Sequence, residues 1–346
     1  MKNRYIHRLS LAYKVLLSGG LPQAITREIP SITPEEVQEA RHFFPLDKFF
    51  IYGHARSGTT LLARLIRLHP QVHCNYQAHF FTRQPLLESL VRNPETAEWL
   101  MRRSNRWNHG KDLSPVVLRA AADFIMERDA LQEGKGKKGC VVGDKSPNSL
   151  LDGESVKLTY KVYPDAYLIY ILRDGRDTIL SHRFQNFIEH PETLSSEDKK
   201  ILDEFIQNPQ PFLCGQRSIF TEKAIRKAAI GWMRNVCETD EMSRQLYGNR
   251  YIHLRYEDLL SDSLGEMTRL WAFLGVDVNI PGLKKAVETE TRENPDAEWQ
   301  QQKASQIASP LQKGKSGSYK EIFTDHDKQV FWDIAGETLK TWGYDA

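Results

Sequence analysis

Only four cysteines, Cys74, Cys140, Cys214 and Cys237, are spread over the 346 residues, with no CxxC pair and no Cys/His spacing. That scarcity argues against a zinc site, and a chain of this length needs no disulfide framework. Reduced thiols packed as small hydrophobes are the expectation. An excess of either charge is missing too: 47 Lys and Arg face 45 Asp and Glu, a formal net charge of +2. Nothing general then draws the chain to nucleic acid or an acidic membrane, and any anion site has to be local. Long apolar runs are also lacking, so no membrane span is expected. The stretch Leu9-Ser10-Leu11-Ala12-Tyr13-Lys14-Val15-Leu16-Leu17 follows basic residues, but Lys14 interrupts it and no small-x-small cleavage site comes after. It reads as a short amphipathic helix rather than a signal peptide, and the protein as cytoplasmic.

What is there is the makeup of a globular chain, 40% hydrophobic and 27% charged. Residues 1–45 read as an N-terminal helical extension, with Ser31, Thr33 and Pro34 as start signals before Glu35-Glu36-Val37. The apolar runs Lys48-Phe49-Phe50-Ile51-Tyr52, Cys140-Val141-Val142, Tyr167 to Leu172 and Tyr251-Ile252-His253-Leu254 predict buried strands. Helices are predicted from about Gly58, through residues 85–130, from about Asp177, and from Ser263 to Leu274. Strands alternating with helices imply a single α/β domain over 46–346, with a mostly parallel central sheet flanked by helices. Ligands of such sheets bind along the edge where the strands end. The segment from Phe187 to Phe220 reads as a loop-and-helix insertion.

Between the first strand and its helix lies Gly53-His54-Ala55-Arg56-Ser57-Gly58-Thr59-Thr60. Glycines let successive N–H groups turn toward an anion, and a helix N-terminus adds unpaired donors and its positive dipole end. Thr59 and Thr60 bring hydroxyls, and Arg56 a planar charged fork. The glycine spacing imitates a Walker A loop, but Thr59 stands where that motif requires Lys, which argues against an ordinary ATPase or GTPase.

From Ile51 to His69-Pro70 the sequence resembles the 5′-phosphosulfate loop of sulfotransferases that use PAPS (3′-phosphoadenosine 5′-phosphosulfate). Its Arg-Ser-Gly-Thr-Thr form is most similar to the protein-tyrosine and bacterial branches, whereas the cytosolic small-molecule branch usually carries Lys in place of Arg56. The segment Leu172-Arg173-Asp174-Gly175-Arg176-Asp177-Thr178-Ile179-Leu180-Ser181 resembles the family's 3′-phosphate motif, with Arg173 and Ser181 as the anchors. A structural cluster of salt bridges among Arg173, Asp174, Arg176 and Asp177 is the alternative. Lys313-Gly314, in the basic run to Lys320, resembles the late nucleotide loop, with Gln312 where an arginine is common. Tyr256 resembles a tyrosine near the adenine, with core packing as the alternative.

The resemblance covers Phe49 to Leu274 and the Lys313 loop, and it implies a P-loop-like sulfotransferase fold. It implies transfer of a sulfuryl group from PAPS to a hydroxyl or amine of a small-molecule, glycan or peptide acceptor, with no metal. Arg56, Ser57, Gly58, Thr59 and Thr60 would hold the phosphosulfate. Lys145, in Gly143-Asp144-Lys145-Ser146-Pro147, resembles the catalytic lysine of the tyrosylprotein branch, with a surface lysine in a turn as the alternative. Gln77 stands near the place of that branch's glutamate base and cannot take a proton, whereas His79 titrates near neutrality and can. His54 and His109 are further candidates, and a hydrogen-bonded core residue is the other reading of His79. A kinase with a degenerate phosphate loop and a non-catalytic PAP or PAPS binder are the competing functions. The insertion at about 187–220 is expected near the acceptor.

Overall fold

In the computed structural model, residues 28–83, 91, 94–101, 110–292 and 316–345 are described. In chain order the first half forms α1 (Pro34–Phe43), β1 (Asp47–Tyr52), α2 (Thr59–Ile66), β2 (Val72–Tyr76), α3 (Pro94–Met101), α4 (Ser114–Gln132), β3 (Val141–Lys145) and α5 (Gly153–Val162). The second half forms β4 (Tyr167–Leu172), α6 (Gly175–Glu189), α7 (Ser196–Gln207), α8 (Gln210–Leu213), α9 (Glu222–Tyr247), β5 (Tyr251–Arg255), α10 (Tyr256–Ser261), α11 (Ser263–Phe273), α12 (Leu283–Arg292), α13 (Tyr319–Ile322) and α14 (Asp325–Thr341). The predicted amphipathic helix at Leu9–Leu17 lies outside the described residues.

The five strands make one sheet in the order β2-β3-β1-β4-β5, and every pairing is parallel. Because side chains alternate across a strand, β1 sends Phe50 and Tyr52 to one side and Phe49 and Ile51 to the other. On the first side they meet Leu118 and Met126 of α4, Val156 of α5, and Trp232 and Val236 of α9. On the other they meet Leu62, Leu65 and Ile66 of α2 and Met267, Leu270 and Trp271 of α11. Burial on both faces explains why the strands read as unbroken apolar runs.

Helix α1 starts where its residues predict: Thr33 accepts from the Glu36 N–H, and Glu36 reaches back to the Thr33 N–H, a complete capping box. The strand β2 has no counterpart in the sequence-based reading. Its His73 and Asn75 are buried polar side chains, hydrogen-bonded to Glu133 and Asp129 of the following helical region, so the strand lacks an apolar signature. From β1 the chain runs out to β2 and back to β3 on one flank, then to β4 and β5 on the other. The strand order therefore reverses at β1, between the exits of β3 and β4, where sheets of this kind leave a crevice.

Candidate active site

At the exit of β1 the chain turns through residues 53–58 into α2. Gly53 has no room for a side chain: a Cβ there would stand 2.5 Å from the Ile171 carbonyl oxygen. Gly58 caps α2 with φ at 91°, and a Cβ on it would run into the Tyr256 ring. Arg56 also adopts positive φ, at 75°, which is uncommon for a residue with a side chain. Ser57 and Thr59 are buried, and the Ser57 hydroxyl has no hydrogen-bond partner among the described residues.

Three strand exits meet at this loop. From β3, the buried Lys145 Nζ donates to Thr60 Oγ1 at 3.2 Å. Beyond β4, Arg173 donates to the Arg56 carbonyl at 3.4 Å, and Arg56 Nε donates to Ser181 Oγ of α6 at 3.1 Å. The two phosphate motifs named from sequence are thus one hydrogen-bonded unit. The Arg173 guanidinium lies 4.8 Å from the centre of the Tyr256 ring, and that ring is buried against Gly58. Behind them Trp232 Nε1 donates to the Arg173 carbonyl at 3.2 Å, fixing the strand exit to α9.

The alternative of a salt-bridge cluster is met in part. Arg176 closes on Asp174, with Nη2 to Oδ2 at 2.8 Å, while Arg173 stands 3.9 Å from Asp177. Asp177 spends its carboxylate elsewhere, accepting from the Gly317 N–H at 2.6 Å and the Tyr319 N–H at 3.1 Å. Burial raises the Asp177 pKa, against the lowering effect of Arg173 and of those two N–H groups. Lys313 and Gly314 lie outside the described residues, as do Gln312 and His109. The described turn at 316–319 is nevertheless joined to the start of α6.

Past β2, Gln77 and His79 both take positive φ, at 55° and 53°. Three successive N–H groups there are held by the end of β3: Gln77 by the Lys145 carbonyl at 2.7 Å, Ala78 by Asp144 Oδ1 at 3.0 Å, and His79 by Ser146 Oγ at 2.9 Å. Ser146 in turn donates to Asp144 Oδ2 at 2.5 Å. Burial pushes the Asp144 carboxyl up to about 6, with Ser146, the Ala78 N–H and Lys145 pulling the other way. The arrangement sets the Gln77–His79 turn beside Lys145. His79 Nδ1 pairs with Thr82 Oγ1 at 2.8 Å. Burial, helped by the charges of Arg83 and Lys145, holds its imidazole down to about 4.

Of the four described side-chain-bearing residues at positive φ, Arg56, Gln77 and His79 belong to this site, and backbone strain of this sort gathers where function fixes geometry. Sequence reasoning missed Asp144, Ser146 and Asp177, although each sits inside a motif already singled out. It also missed His182, one residue past Ser181, whose ring centre is 6.3 Å from that of His54. Burial, with His54 and Arg56 nearby, takes its pKa down to about 4, while burial alone lowers His54 against the pull of the Ala55 carbonyl.

The exits of β1, β3 and β4 thus bring Arg56, Lys145 and Arg173 to one loop of an α/β protein with a parallel sheet. The family model described as the Sulfotransferase family matches residues 48–279, more than half of the sequence, and the chain belongs to that family. Protein-tyrosine sulfotransferase A of Caenorhabditis elegans is 30% identical over 132 residues, which cover 38% of this chain and 32% of that protein. The protein-tyrosine sulfotransferase of Drosophila melanogaster is 26% identical over 176 residues, covering 50% of this chain and 32% of that one. The chain thus matches about a third of the length of these relatives. Among solved structures, a mouse sulfotransferase complexed with PAP is 18% identical, with a TM-score of 0.47 and 89% of each chain covered.

Proposed function

We propose that this protein transfers a sulfuryl group from PAPS to a hydroxyl or amine acceptor and releases PAP, without a metal ion. The observation that carries the reading is the joining of Arg173, Arg56 and Ser181 at one loop, with Lys145 reaching the same loop through Thr60. The buried Ser57 hydroxyl, without a partner among the described residues, fits a site whose bound anion supplies the missing hydrogen bond. In this reading Arg56, Ser57, Gly58, Thr59 and Thr60 hold the 5′-phosphosulfate, and Arg173 with Ser181 holds the 3′-phosphate. Lys313 and Gly314 would close over that phosphate, and Tyr256 would serve the nucleoside end.

The acceptor oxygen or nitrogen would form a bond to sulfur while the bond from sulfur to the bridging phosphate oxygen breaks. Lys145 and Arg56 would stabilise the charge that gathers on the departing oxygen. The acceptor's proton would go to His79. If Nδ1 carries the proton and donates it to Thr82 Oγ1, Nε2 would be the accepting atom, and a pKa of about 4 leaves the ring unprotonated at neutral pH. That low value also makes it a weak base, so positioning has to supply much of the rate.

The acceptor would be a small molecule, glycan or peptide, shaped in part by the 187–220 segment, with nucleic acid excluded as a partner. The near-neutral charge supports that exclusion. No helix among the described residues is long and apolar enough to cross a membrane, and a cytoplasmic site of action is part of the proposal. Incubation with sulfur-35-labelled PAPS and a panel of phenols, sugars, amines and tyrosine peptides tests it. The expected result is label transfer without magnesium, lost in Arg56→Ala. Magnesium-dependent phosphoryl transfer from ATP, with no transfer from PAPS, would turn the reading toward a kinase.

A further inference from the structure

The carboxylate of Asp177 is buried in the first turn of α6, yet it accepts hydrogen bonds from two backbone N–H groups 140 and 142 residues further along the chain. Gly317 holds positive φ, at 84°, and Tyr319 opens the short helix α13. Arg176, on the same turn of α6, lays its guanidinium 4.1 Å from the centre of the Tyr319 ring while pairing with Asp174. A second tie lies close by: Glu257 accepts from the Asp174 N–H at 3.1 Å and from the Tyr344 hydroxyl at 2.8 Å. The passage from β4 into α6, which carries Arg173 and Ser181 on either side of Asp177, is therefore fastened to the C-terminal part of the chain.

We infer that Asp177 is a positioning residue that makes recognition of the 3′-phosphate depend on the Gly317–Tyr319 turn. The inference rests on the PAPS reading above. Its logic is one of opposed signs. Asp177 Oδ2 is 3.9 Å from Arg173 Nη2, so its negative charge alone competes with any phosphate for that arginine. If charge were all it supplied, removing the charge would tighten anion binding. If it positions the turn, removing it loosens binding, and only for ligands that carry the 3′-phosphate.

Asp177→Asn separates the two. The amide keeps one acceptor oxygen but turns an N–H toward the second backbone N–H, so one of the two hydrogen bonds is lost and replaced by a clash of donors. Calorimetric titration would compare PAP with 5′-AMP, which differs only in lacking the 3′-phosphate. The expected result is a loss of about tenfold or more in PAP affinity, the scale of a lost hydrogen bond to a charged group, with 5′-AMP affinity unchanged. Retained 5′-AMP binding also reports an intact fold.

Should Asp177→Asn fail to fold, Gly317→Ala perturbs the turn from its other end. Among the described residues a Cβ there meets nothing closer than Lys320 Cδ at 3.9 Å, and the positive φ strains any residue with a side chain. It should lower the ratio of PAP to 5′-AMP affinity in the same direction. An unchanged or increased ratio in the variant that folds would overturn the inference, as would equal losses for both nucleotides. A wild-type protein that binds PAP no better than 5′-AMP would overturn the PAPS reading itself.

Discussion

At the scale of single residues, the histidines of the site carry a consequence for acid stability. His79 and His182 are each lowered from an ordinary 6.5 to about 4. Between those values the unfolded chain takes up protons that the folded chain refuses, so stability present above pH 6.5 is lost as pH falls toward 4. Asp144 acts the other way: raised from 3.8 to about 6, it keeps a proton in the folded chain that the unfolded chain has released, and it favours folding as pH falls through 6. A His79→Gln, His182→Gln double variant loses the contribution of these two imidazoles and keeps that of Asp144. Its melting temperature should fall less on acidification than that of wild type, measured by scanning calorimetry, and an equal fall would contradict the assignment. For the chemistry, His79→Ala should lower kcat by about 100-fold or more while leaving PAP affinity intact, the mark of a group used for proton transfer alone. Arg56, Ser57 and Arg173 were legible because anion loops demand their residue types. Asp177 was read only as a possible salt-bridge partner, since nothing in a sequence says that a carboxylate will face backbone N–H groups 140 residues away.

At the scale of elements, the strand exits and not the strands hold the site. The end of β3 gives the Lys145 ammonium to the loop and, through the Lys145 carbonyl, Asp144 and Ser146, three acceptors to the Gln77–His79 turn. Ser146→Ala leaves the His79 N–H without its acceptor and Asp144 with one donor fewer, a cost of about 1–3 kcal/mol for a buried unpaired group. Thermal melting should register that loss, and kcat should fall more than PAP affinity because the turn carries His79, the proposed base. A variant as stable and as active as wild type would remove the turn's dependence on Ser146. Gly58→Ala is more severe: φ of 91° and the Tyr256 ring both exclude a methyl group, so PAP binding should be abolished in whatever protein folds. The helices α5, α9, α12 and α14 were not predicted, whereas four of the five strands were legible from their apolar runs, and β4 matches its predicted span residue for residue. β2 was not, because His73 and Asn75 are satisfied by partners on and just after α4, more than 50 residues later. The turn that follows β2 was therefore read as a lone histidine beside aromatic neighbours, without its three backbone anchors.

At the scale of the whole molecule, a single parallel sheet brings residues from 53 to 181 together at its strand exits, and Asp177 ties the 317–319 turn to them. Alternation of strands and helices made that architecture legible, whereas the strand order that sets the crevice between β3, β1 and β4 came only from the pairings. Since a bound nucleotide would bridge these exits, PAP should raise the melting temperature, by an amount equivalent to about 2.7 kcal/mol at a hundredfold excess over its Kd. Family membership rests on residues 48–279, and the C-terminal ties of Asp177 lie beyond that span, which is why they are proposed from the structure and not carried over.

The most direct test of the central claim is calorimetric titration of the purified protein with PAP and with ATP, without magnesium, in wild type and in Arg173→Ala. The account predicts tight binding of PAP, weak binding of ATP, and collapse of the PAP signal when the Arg173 guanidinium is removed. Absence of PAP binding, or ATP binding that requires magnesium, would contradict it.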